Sequence, residues 1–418
     1  MPKSAQLVGL MTIALILFDS MITYFTRQAF GVLVPVSAAA PFIVGGIVVK
    51  WGVRPIIPPR YISIALGLSL VGFLIGMVSM DEVTIHRFSE IINSLSVFFV
   101  GYYCFRWWSD EATYARLFLL VGGAYVIVCL LALLKVAPSV FPIINAIWSF
   151  EGRLEYRPEV MTDQNFQIFY LFPIVLVLAL PYRFFRFGVA FLGTFGAVYV
   201  LAMLQTRSGF LILMVSILLC ILAPIWTAHL GRQKTFILPI LVFLIVVANL
   251  DWILNVGELL ITRFTRTGMD TGYGRVLSTL YLFEHLLDPS WWIPRGYEEF
   301  KTLYRGTVPH SNITAMFLEG GIFGLYMWIV VFLLPLMSLM RMFFRRQLDP
   351  LATIVLLAGI NSMAVQLSLN VPFFKQPWLW AGAVVGTLFR SRQRLGQLRR
   401  ESLRRRSVHS TSAVRQSL

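Results

Sequence analysis

The chain has 418 residues, of which 58% are apolar and only 13% charged, with a mean hydropathy of +0.76. Water-soluble domains carry roughly 25% charged residues, so a soluble enzyme or binding module is excluded. The formal charge of +15 is concentrated in short loops and a terminal tail, the pattern of Lys and Arg held on the cytoplasmic side of a membrane.

Apolar runs of about 20 residues, long enough to cross a bilayer core, predict about twelve spans. They fall near 7–25, 30–49, 61–80, 90–106, 115–134, 166–182, 187–204, 209–228, 235–254, 312–339, 351–369 and 376–390. The expected fold class is therefore an all-α integral membrane protein with large outer loops, in one polytopic domain over 1–390 and a basic tail over 391–418. The first run has only Lys3 ahead of it and contains Asp19, which reads as a retained span rather than a cleaved signal. Asp19 is also the ionisable residue expected inside a span, either functional or capping a polar contact in the bundle.

With the N-terminus inside, the short inner loops hold Lys50, Arg54 and Arg60; Arg106 and Arg116; Arg183 and Arg186; Arg232 and Lys234; and Arg341, Arg345 and Arg346. An even number of spans then leaves both termini in the cytoplasm. The tail clusters Arg399, Arg400, Arg404, Arg405 and Arg406 without interleaved aromatics. Base stacking has no support there, so no nucleic-acid partner is expected, and the arginines read as an anchor on anionic membrane lipids. Cys104, Cys129 and Cys220 all fall in spans and are expected to be packing residues.

Two outer segments are long, about 135–165 and 255–311, and long structured loops are usually functional. Within the second, Val276, Leu280, Phe283 and Leu287 keep helical spacing. They predict an amphipathic helix over 276–287, lying on the membrane surface or over the spans, with Trp291 and Trp292 in an interfacial belt. Arg263, Arg266, Arg275, Arg295, Lys301 and Arg305 are matched by Glu258, Asp270, Glu284, Asp288, Glu298 and Glu299. The loop is thus no bulk cationic funnel, and any grip on phosphate falls to particular arginines. Arg207, in the tight outer turn Gln205-Thr206-Arg207-Ser208-Gly209, runs against the positive-inside bias. It is either a snorkelling side chain or a site residue. His285 reads as a surface residue. His310 stands at the mouth of the large loop, just before a long apolar helix, and is better placed for proton chemistry at a membrane surface than for packing.

The string His310-Ser311, nine residues, then Gly321-x-x-Gly324 resembles the H-[NSQ]-x9-G-x-x-G pattern of the O-antigen ligase family, within the ligase and polymerase superfamily. Thr206-Arg207-Ser208-Gly209 resembles that family's short loop with an essential arginine. Gly274-Arg275, the amphipathic stretch and Arg295-Gly296-Tyr297 resemble its large periplasmic loop. The resemblance implies a GT-C-like glycosyltransferase in the bacterial inner membrane, with its site on the periplasmic face. It would move a glycan from undecaprenyl diphosphate to a sugar hydroxyl on lipid A-core. No histidine–carboxylate cluster has metal spacing and the sequence holds no Asp-x-Asp pair, so a metal-independent transferase without a cofactor is expected.

Arginine's planar fork suits the departing diphosphate. Arg207 and Arg275 are accordingly expected to hold it, with Arg266 and Arg295 as further binding candidates. His310 is expected to take the acceptor's proton or to orient the hydroxyl. Gly321 and Gly324, about 16–21 Å down a straight helix from His310, are expected to serve helix packing. The alternatives within the class are an O-antigen polymerase and a protein O-oligosaccharyltransferase. The alternative outside it is a lipid or glycan transporter, disfavoured by the scarcity of ionisable residues in the spans.

Overall fold

The computed structural model describes residues 3–30, 39–51, 57–79, 85–107, 110–133, 143–145, 156–158, 168–180, 184–203, 207–226, 277–303, 311–368 and 375–416. Apart from short turns, 292–295 and 345–349 among them, these are helical, with one short antiparallel pairing of β1 (Ile143–Asn145) with β2 (Tyr156–Pro158). The helices are α1 (Lys3–Phe30), α2 (Ala40–Trp51), α3 (Arg60–Ser79), α4 (Ile85–Trp107), α5 (Glu111–Leu133), α6 (Ile168–Leu176), α7 (Phe184–Met203) and α8 (Arg207–Trp226). After them come α9 (277–286), α10 (Gly296–Leu303), α11 (Asn312–Met327), α12 (Leu334–Phe344), α13 (Pro350–Ser368) and α14 (Lys375–Gln416).

Helices overlap eleven of the twelve apolar runs, the second of them mainly from Ala40 onward; residues 31–38 and the run at 235–254 lie outside the described residues. Four stretches are long and apolar enough to cross a membrane: Arg60–Met77, Glu111–Leu131, Asn312–Phe344 and Pro350–Leu367. Shorter apolar helices lie at Leu7–Asp19, Ile168–Ala179 and Phe185–Leu201. The protein is thus a helical, polytopic membrane protein.

Polar contacts sort the helix ends into two groups. Glu111 meets Arg186 at 3.8 Å, and Asp349 meets Arg390 at 3.2 Å and Arg394 at 3.3 Å. The Tyr102 hydroxyl donates to the Ile57 carbonyl. At the other end, Lys375 donates to Asp19 Oδ2 at 3.0 Å. Each contact joins positions that alternating crossings would bring to the same side. Asp19 is therefore a bundle contact, pairing with a lysine at the start of α14.

Two interfaces rest on glycines spaced four apart, which let helix backbones touch where lipid offers no hydrophobic drive. On α14, a Cβ at Gly382 would overlap the Phe98 carbonyl oxygen of α4, and one at Gly386 would overlap that of Tyr102; across the seam, Gly101 faces the Leu379 carbonyl. On α3, Gly72 and Gly76 face the Gly320 and Glu319 carbonyl oxygens of α11 in the same way. The three cysteines are buried, as expected of packing residues.

The run expected as one straight span from 312 is broken. Thirty-three residues, Asn312–Phe344, would make a straight rod of ~50 Å against a hydrocarbon core of ~30 Å. At Gly321 the backbone takes φ 59°, ψ −149°, a conformation essentially reserved for glycine. The arm 312–320 lies back against 322–328: a Cβ at Gly324 would overlap the Met316 carbonyl oxygen, although those residues stand about 12 Å apart along a straight helix. The rest, 322–344, is ~35 Å long and fits the bilayer. It includes a π-helical stretch, Trp328–Leu333.

Candidate functional site

The break in α11 is where the segment 287–303 meets α3 and α11. In an unbroken α-helix the Ile322 N–H would donate to the Leu318 carbonyl. Gly321 separates them, and the segment 292–295 takes both places: Ile322 N–H donates to Trp292 O, and Arg295 N–H donates to Leu318 O, each at 2.9 Å. Two backbone groups that would be costly to strand at a membrane helix are satisfied by a loop about 25 residues earlier in the chain. Pro294 is buried there, against Gly321 on one side and Gly76 of α3 on the other.

Helix α9 packs over this junction. Leu277 and Tyr281 form a buried cluster with Phe300 of α10 and with Phe317, Leu318 and Leu325 of α11, and the Thr314 hydroxyl donates to the Ser278 carbonyl at 2.9 Å. The helix appears where the spacing predicted it, and its 280/283/287 stripe is turned away from α11: Leu280, Phe283 and Leu287 are exposed, while Val276 lies outside the described residues. The His285 ring lies parallel to Trp291, 3.7 Å between centroids, and edge-on to Tyr281. It is a half-buried member of an aromatic stack rather than a surface residue. Arg295 extends the stack, its guanidinium 4.7 Å from the Trp291 ring centre and its Nη2 donating to Ser290 O at 3.0 Å. Asp288 caps the turn Pro289–Trp291 by accepting from the Ser290 N–H. That hydrogen bond holds the exposed carboxyl below its ordinary value of 3.8, helped by the nearby His285 and Arg295.

On the inner side of the folded arm, Gln366 of α13 joins both limbs of α11. Its Oε1 accepts from Asn312 Nδ2 at 2.8 Å and from Trp328 Nε1 at 3.0 Å. Sixteen residues of continuous helix would part those donors by ~24 Å, so one buried amide records the fold-back. A small cavity of about 10 Å³ lies alongside, lined by Gln366, Ser362, Phe332 and neighbours, with room for one water. Asn312 is fully buried, and its Oδ1 has no hydrogen-bond partner among the described residues.

Of the residues singled out from sequence, His310, Arg266 and Arg275 lie outside the described residues. Arg207 opens α8, and its side chain is likewise outside the description. Arg295 is exposed and stacked on Trp291. Gly321 and Gly324 serve close packing as expected, but not down a straight rod: Gly321 makes the break and Gly324 accommodates the returning arm.

Sequence reasoning missed Glu319, a buried acid within an apolar run, and Lys375, the partner of Asp19. The count of ionisable residues at membrane level therefore rises beyond Asp19. It also passed over Asn312 and Gln366, and over the glycine pairs 72/76 and 382/386, whose four-residue spacing was a readable signal. No protein-family model and no curated protein matches the chain.

Proposed function

We propose that this protein is a glycosyltransferase of the O-antigen ligase kind. It moves a glycan from undecaprenyl diphosphate to a sugar hydroxyl of lipid A-core at the periplasmic face of the bacterial inner membrane. The observation that carries the reading is the backbone break. Both glycines of the histidine string have a structural task in it, and the break docks the segment bearing Arg295 onto a helix that begins two residues after His310.

In the proposed reaction the anomeric carbon–oxygen bond to diphosphate breaks as the acceptor oxygen bonds to that carbon. The acceptor proton passes to His310 or to the leaving phosphate. Arg207 and Arg275, with Arg266 and Arg295 in support, carry the charge that builds on the diphosphate. A preorganised donor of this kind is typically worth about 10²–10³ in rate. The acid–base step needs a histidine that can be neutral near pH 7.

The test is purified protein in lipid nanodiscs, given undecaprenyl-diphosphate glycan and lipid A-core without added metal. A glycan ladder on lipid A-core supports the ligase. Longer lipid-linked glycan assigns the chain to the polymerases instead, and glycan on an added acceptor protein to the protein O-oligosaccharyltransferases. No transfer of any kind returns the transporter reading. Full activity in a well-folded His310→Ala variant ends the assigned role of the histidine.

A further inference from the structure

Helix α9 and the turn after it present an apolar ridge with none of the described residues packed over it. Phe283 is 71% exposed, Leu287 86% and Ile293 59%, with Leu280 and Trp292 also open. The polar residues Thr279 and Glu284 flank the ridge and are exposed as well. The opposite face of the same helix is spent on Phe317, Leu318 and Leu325, through Leu277 and Tyr281. The ridge is therefore not a misplaced core stripe waiting for α11.

Its position says what covers it. Ile293 is followed by Pro294, which is wedged between Gly76 of α3 and Gly321 of α11. Immediately along α3, Val71, Leu74 and Ile75 face outward from the bundle, and along α11 Phe323 and Tyr326 do the same. These are outward faces of helices long and apolar enough to cross a membrane, so they face lipid. The ridge of α9 continues that wall past the ends of the helices. Polar groups mark its rim: Arg295 is exposed over the Trp291 ring, and the Trp292 indole N–H is already held by the Leu286 carbonyl.

We infer that α9 and residues 287–293 lie embedded in one membrane leaflet. Leu280, Phe283, Leu287 and Ile293 reach the boundary between headgroups and acyl chains, while Thr279 and Glu284 face the headgroup and water side. An apolar face of this kind, carried on a helix with a polar flank, sinks about 5–10 Å into that boundary. The large loop is then anchored twice, by the backbone bonds at Gly321 and by lipid. This holds whatever reaction the protein performs.

The test places a nitroxide label at single introduced cysteines, Phe283→Cys, Leu287→Cys and Ile293→Cys against Thr279→Cys and Glu284→Cys, in protein reconstituted into phosphatidylcholine and phosphatidylglycerol vesicles. The native cysteines are buried, and any labelling of the parent chain is subtracted. All five positions are exposed, and gel filtration verifies that each variant is folded. Expected is a ratio of oxygen to water-soluble nickel chelate accessibility several-fold higher at 283, 287 and 293 than at 279 and 284. Equal aqueous access at all five positions overturns the inference. So does exclusion of both reagents from 283 and 287, which would put a protein surface over the ridge.

Discussion

Replacing Gly321 with alanine tests the junction between loop and membrane most directly. At φ 59°, ψ −149° any side chain is strained by about 1–3 kcal/mol, and the new Cβ would overlap the Trp292 carbonyl oxygen. The obstacle is backbone on both sides and cannot be relieved by a rotamer. Segment 292–295 must move away, giving up the Ile322-to-Trp292 and Arg295-to-Leu318 hydrogen bonds, each worth about 0.5–1.5 kcal/mol net. The total is a loss of about 2–6 kcal/mol.

Two measurements check this. Amide exchange followed by mass spectrometry should show the Arg295 and Ile322 amides protected in the parent and exposed together in Gly321→Ala. The melting midpoint in detergent should fall by ~5 °C or more. Gly123→Ala is the control, because nothing lies within 4 Å of its added Cβ and alanine is the better helix former. It should leave stability unchanged or slightly raised. A Gly321→Ala protein with both amides still protected and the parent's midpoint would refute the account of the break.

Gln366→Leu leaves two buried donors, Asn312 Nδ2 and Trp328 Nε1, without their acceptor, at about 1–3 kcal/mol each. A drop in melting midpoint and faster proteolysis after residue 311 are the expected readouts. Gly382→Val and Gly386→Val force side chains onto the backbone of α4 and should cost about 1–3 kcal/mol or more each, seen as lost monodispersity in detergent. Lys375→Met removes the ammonium that meets the Asp19 carboxylate at 3.0 Å. The single change should be more destabilising than the pair Asp19→Leu and Lys375→Met, because removing both charges also removes their desolvation penalty, and a double-mutant cycle measures the difference.

Asp288 titrates below its ordinary 3.8 in the folded chain. Its cap on the 289–291 turn is therefore fully present above that pH and is lost as pH falls through the lower folded value. Exchange of the Ser290 amide should stay constant from pH 7 to 4.5 and rise only below 3.8, once the intrinsic pH dependence of exchange is removed. Asp288→Asn should abolish the transition.

Helix positions were legible from hydropathy because each run of about 20 apolar residues has few alternatives in a bilayer. What hydropathy could not read was the direction of the chain within a run. Asn312–Phe344 averages as strongly apolar whether straight or folded, and only the φ of Gly321 decides between them. The 280/283/287 stripe was legible as helical, but spacing alone left open whether it meets the membrane surface or the spans; Leu277 and Tyr281, on the other face, are what pack onto α11. Glu319 escaped notice because the apolar average around it is high, and Lys375 because it stands at the edge of its run. Of the candidate site, the loop around Arg295 is visible. His310, Arg266 and Arg275 fall outside the described residues, so their roles rest on sequence.

The exchange of hydrogen bonds at Gly321 also constrains how the protein is made. Synthesis runs from the N-terminus, so 292–295 is made before 318–322. When the break arrives, its carbonyl and N–H meet a partner already delivered, and neither has to wait unpaired in hydrocarbon. The two hydrogen bonds at the break therefore need 292–295 to be in place. A lesion in 292–295 should then surface as an assembly defect in α11–α14, far downstream of the altered residue.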